Sequence, residues 1–116
     1  MKESDLWVIS EMEVTRLGIS MTLKGYYYLI IAVVLSVKLG IRQESLCKVL
    51  YQKIADMHQV SWCSVEKDIR NCLFKAWSEG SGALRSAYPR NSKKPTNGEV
   101  IAYITSRIRL ETPLRI

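Results

Sequence analysis

The chain has 116 residues, of which 47% are apolar, with three cysteines, one histidine and a formal net charge of +6. That length supports one domain, residues 1–116, around a single core that buries roughly two thirds of the unfolded surface. Cys47, Cys63 and Cys72 are odd in number and show no C-x-x-C spacing. With His58 alone beside them they fall short of any usual zinc set, so neither a disulfide scaffold nor a bound metal is expected, and a reducing cytoplasmic setting is. The charge is uneven: residues 61–97 hold seven Lys/Arg against three Asp/Glu, whereas residues 1–60 hold seven against six. Such a segment is either a solvated face or the footprint of a nucleic acid.

In chain order, Ser4 is placed to cap a first helix reaching Arg16, with Leu6, Ile9 and Met12 at helical spacing and Gly18 as its left-handed stop. Glu3, Asp5, Glu11 and Glu13 make this segment unlike a signal peptide. Next comes GYYYLIIAVVLSV, residues 25–37, without a charge. As a helix it spans roughly 20 Å, short of a hydrocarbon core of about 30 Å, and Lys24 and Lys38 bound it at once. It reads as a core helix from about Thr22 to Lys38, closed by Gly40, and no membrane partner is expected.

Leu46, Val49, Leu50, Ile54 and Met57 recur at steps of three and four and mark a third helix from about Glu44 to His58. Val65, Ile69, Cys72, Leu73, Ala76 and Trp77 do the same for a fourth, from about Ser61 to Glu79, ended by Gly80 and Gly82. The turn-rich stretch ALRSAYPRNSKKPTN has room for a short helix around residues 83–87 before Pro89 stops it. Thr96 and Glu99 form a capping box for a last helix that buries Val100, Ile101, Ile104 and Ile108. The fold class is therefore all-α, a six-helix domain.

The third and fourth helices are joined by about three residues, 59–61, which forces a steep crossing of the helix-turn-helix kind, over about residues 46–79. With Val65 at the centre of the buried side, the outward face of the fourth helix carries Cys63, Ser64, Lys67, Arg70, Asn71, Phe74 and Ser78, with Glu66 at its edge. Small, amide and cationic groups in the first three turns suit a major groove, where Arg or Lys reaches guanine, Asn pairs with adenine and Glu accepts from cytosine. The plain alternative is a solvated face with Glu66 and Arg70 paired at i, i+4. Phe74 fits neither and is expected under the following loop. That loop adds Arg85, Arg90, Lys93 and Lys94 as candidate phosphate contacts. His58 and Cys63 lack a third group and a pocket, so the chain is not read as an enzyme and no small-molecule substrate or cofactor is implied.

The strings LGI (17–19), Lys24, Gly25, Tyr26, Tyr28 and Leu29 with Ala32, KVLY (48–51), IA (54–55), Val65, Glu66, Ile69 and Arg70, AW (76–77), KPTN (94–97) and RLE (109–111) run in order along the chain. In these the chain resembles the C-terminal DNA-binding effector domain of the sporulation master response regulator, stage zero sporulation protein A, over about residues 5–111. The resemblance implies a six-helix bacterial domain whose fourth helix, about residues 61–79, recognises promoter boxes. It places base contacts at Ser64, Glu66, Lys67, Arg70 and Asn71. Thr96 and Asn97 of the KPTN string join the expected phosphate contacts Arg85, Arg90, Lys93 and Lys94.

Three departures stand out. Ser64 occupies a position where the family usually has a base-reading arginine. Gln52 replaces a proline, which lets the third helix run on through Tyr51. Ile30 and Ile31 replace an arginine and a glutamate, and with Tyr27, Val34 and Val37 they make a second apolar stripe about opposite Tyr28, Leu29, Ala32 and Leu35. Either the first or last helix covers that stripe, or it is a dimer or partner surface. The family's receiver domain has no counterpart here, and Met1 favours a short paralogue over a fragment. The expected function is sequence-specific binding of double-stranded DNA and transcription regulation, with a homodimer on DNA as a candidate assembly. The alternative is a protein-interaction module that pairs with a full-length family member and has lost specific DNA reading.

Overall fold

The computed structural model describes residues 2–40 and 47–111, and within them it is all helical. The elements are α1 (Glu3–Arg16), α2 (Lys24–Leu39), α3 (Cys47–His58), α4 (Trp62–Glu79), α5 (Ala83–Ala87) and α6 (Asn97–Glu111). The expected start of α3 at Glu44 and Leu46 lies outside the described residues.

The first helix begins two residues earlier than its capping serine suggests. Lys2 is the extended N-cap residue and makes no side-chain cap bond, so Ser4 lies inside the helix. Glu3 and Asp5 in the first turn and Arg16 in the last complement the helix dipole instead. The buried face is Leu6, Ser10, Glu13 and Val14, while Met12 is 55% exposed. Two polar residues conceal that stripe from hydropathy. Glu13 is tolerated inside because Arg107 Nε of α6 donates to Oε1 at 2.8 Å and Arg16 Nη1 donates to Oε2 at 3.0 Å.

The apolar helix α2 is the centre of the molecule, packed against α1, α3, α4 and α6. Its proposed second stripe is therefore not a surface: Ile30, Val34 and Val37 are buried and Ile31 half-buried, leaving Tyr27 as the exposed member. A helix apolar on all sides is buried on all sides when neighbours share its circumference. The α6 helix is held over α2 by Arg109, which donates to the carbonyl of Ser36 at 3.3 Å. Among the described residues no helix is long and apolar enough to cross a membrane.

In α3 the buried set is Cys47, Leu50, Tyr51, Ile54 and Ala55, and Val49 and Met57 are exposed. Five inward positions at i, i+3, i+4, i+7 and i+8 make a continuous face, and the apolar side chains at 49 and 57 fall outside it. The buried set of α4 is as its spacing indicates, Val65, Ile69, Cys72, Leu73, Ala76 and Trp77, and Val100, Ile101, Ile104 and Ile108 of α6 are buried as well.

Candidate nucleic-acid interface

Three residues, Gln59, Val60 and Ser61, separate α3 from α4. Gln59 takes a left-handed φ of 56°, and the amide of Val60 returns to the carbonyl of Ala55 at 3.1 Å, a Schellman closure built without glycine. Ser61 then caps α4, its Oγ accepting from the Ser64 amide at 3.2 Å. The joint is thus closed by local hydrogen bonds at both helix ends. Trp62 opens α4 with Lys48 of α3 over its ring at 5.6 Å. Nothing in the spacing of those two residues marked them.

Cys63, Ser64, Lys67, Arg70, Asn71, Phe74 and Ser78 are all exposed, so α4 presents the outward face its periodicity indicates. Phe74, expected under the loop, is 59% exposed. Two of the face's groups are engaged locally. Ser64 Oγ lies 2.9 Å from Ser61 Oγ, within the cap. Arg70 Nη1 donates to Glu66 Oε1 at 2.8 Å, the i, i+4 pair of the solvated-face alternative. Lys67 and Asn71 stand beside that pair on the same face.

The phosphate set divides. Arg90 and Lys93 are exposed. Arg85 spends its guanidinium on α4: Nε donates to the carbonyl of Trp77 at 2.7 Å, and the group stacks on the Trp77 ring at 4.5 Å. Lys94 is half-buried, with Nζ donating to the Pro95 carbonyl at 3.2 Å. Burial first, then the neighbouring charge of Arg70, lowers its pKa. Thr96 and Glu99 make both bonds of the capping box: the Thr96 amide donates to Glu99 Oε1 at 2.9 Å and the Glu99 amide to Thr96 Oγ1 at 3.1 Å.

Asn97, expected on phosphate, is buried, and its Nδ2 donates to the backbone carbonyl of Glu66 at 3.0 Å, thirty-one residues away. Around this junction Cys47, Tyr51, Glu66, Arg70, Lys94, Thr96 and Asn97 line an open cleft of about 350 Å³. Burial pushes the phenol of Tyr51 up to about 12. Tyr51 and Cys47 of this cleft fall outside the apolar stripe read from the sequence, Leu46, Val49, Leu50, Ile54 and Met57.

A two-helix unit with a three-residue joint, one exposed polar and cationic helix face and a basic loop beside it fit a domain of the helix-turn-helix class. The family model described as Sporulation initiation factor Spo0A C terminal matches residues 10–108. The chain belongs to that family, whose members are DNA-binding domains of a sporulation transcription factor.

Proposed function

We propose that this domain regulates transcription by reading a short duplex sequence with α4. The N-terminal half of the helix enters the major groove, Lys67, Arg70 and Asn71 meet base edges, and Arg90, Lys93, Lys94 and Thr96 hold phosphates at the flank. The observation that carries this reading is the common exposure of Ser64, Lys67, Arg70 and Asn71 on one face of a helix whose opposite face is wholly buried. Glu66 orients Arg70 through their ion pair and supplies an acceptor for cytosine. Ser64, tied to Ser61, contributes less than the arginine common in relatives, so reading shifts toward Lys67, Arg70 and Asn71. The partner is double-stranded DNA in the cytoplasm, and no catalysis is involved.

Selection from random duplexes, followed by titration of the winning sequence, tests this. About four phosphate contacts give a slope of log affinity against log salt near −3 to −4. Arg70→Ala is expected to lower affinity for the selected duplex by about 1–3 kcal/mol while scrambled DNA is bound as before. Equal affinity for selected and scrambled duplexes in the unaltered protein overturns sequence-specific regulation and leaves pairing with a full-length family member as the function.

A further inference from the structure

We infer that Asn97 is a positioning residue for DNA reading, fixing the placement of α4 from the start of α6 and touching no DNA itself. The inference rests on the DNA-reading function proposed above and adds to it a residue whose part is played through others.

The geometry is specific. Asn97 stands at the start of α6, directly after the capping residue Thr96, and it is 8% exposed. Its Nδ2 donates to the Glu66 carbonyl of α4 at 3.0 Å, and Tyr51 of α3 lines the same cleft. A carbonyl in the second turn of a helix already accepts from the amide four residues on, so the Asn97 bond is additional and serves placement of the helix, not its formation. The carbonyl belongs to the residue whose side chain holds Arg70, so moving Glu66 along or about the α4 axis moves Arg70 with it.

The same asparagine follows Lys94 and Thr96, which flank the cleft below Arg70. Anchoring of the loop on phosphate and presentation of Arg70 to a base are therefore joined through a single side chain. Loss of Asn97 frees that register without removing any charge. A phosphate contact behaves differently, because its loss weakens binding to every sequence and reduces the salt slope by about one.

The test uses Asn97→Ala and Asn97→Ser, with Lys93→Ala as the phosphate-contact standard, against the duplex selected by the unaltered protein and a scrambled one. Serine keeps a small polar group at the helix start and serves if the alanine variant fails to fold. Expected is a loss of about tenfold or more on the selected duplex, scrambled binding within twofold and an unchanged salt slope. In the protein without DNA, amide resonances and hydrogen exchange are expected to change around Glu66–Arg70. Equal losses on both duplexes with a reduced salt slope make Asn97 a phosphate contact and overturn the inference. So do unchanged α4 amides, or undiminished affinity for the selected duplex in a folded variant. If the unaltered protein prefers no duplex while the α4 amides still shift, the proposed DNA reading fails and Asn97 is left a structural staple.

Discussion

Gly25 of α2 lies so close to the backbone carbonyl of Asp68 in α4 that a Cβ there would collide with it, and would crowd the Cys72 thiol as well. The central helix α2 and α4 thus meet backbone to backbone. This is where α4 is held on the side away from its polar face. Backbone cannot rotate away as a side-chain tip can, so Gly25→Ala must separate two packed helices. Its gain in helix propensity, up to about 1 kcal/mol, opposes an overpacking cost of about 1–3 kcal/mol. The expected outcome is a lower urea midpoint, together with weaker binding of the selected duplex.

The turn before α4 makes an opposite expectation. Gln59 holds φ at 56°, a region that costs an L-residue roughly 1–2 kcal/mol. Gln59→Gly removes that strain and loses part of the gain to the greater freedom of the unfolded chain, for a net stabilisation of about 0.5–1 kcal/mol. Gln59→Val, β-branched at the same φ, is expected to destabilise. Thermal melting of the three proteins orders them Gly, Gln, Val.

Stability is expected to fall in alkali. Burial, then the nearby carboxylate of Asp68, pushes the Cys72 thiol up from 9.0 to about 12, and burial raises Tyr51 from 10.0 to about 12. Both groups keep their protons when folded at pH values where the unfolded chain has released them. Their contribution is therefore whole below about pH 9 and is lost progressively as pH rises from 9 toward 12. The lowered pKa of Lys94 acts in the opposite sense and shallows the decline. Urea titrations across that range should show a smaller loss per pH unit in Cys72→Ala and in Tyr51→Phe than in the parent.

Within GYYYLIIAVVLSV, neighbouring positions should respond differently. Ile30 is fully buried, so Ile30→Ala is expected to cost about 2–5 kcal/mol. Tyr27 is 49% exposed and meets Tyr26 edge-on, with ring centroids 5.0 Å apart. Tyr27→Ala is expected to cost only about 0.5–1.5 kcal/mol. Comparable losses at both positions in urea denaturation would contradict the burial of Ile30.

Much of the molecule follows from sequence alone. Helix spacing, Ser61, the Thr96–Glu99 box and the glycines at 18 and 40 determine where helices run and stop, because caps and periodicity act within a few residues. The exposed face of α4 is likewise legible, since one buried stripe defines its opposite. Tertiary structure alone decided which sides of an all-apolar helix meet other helices, and so turned Ile30, Val34 and Val37 from a candidate surface into core. It also decided that Ser10 and Glu13 go inside, that Arg85 turns to Trp77 and that Asn97 serves Glu66. These outcomes depend on partners up to 94 residues away along the chain, as for Glu13 and Arg107. A polar side chain carries in its own chemistry what it can bond, but the fold determines which of its neighbours is there to be bonded.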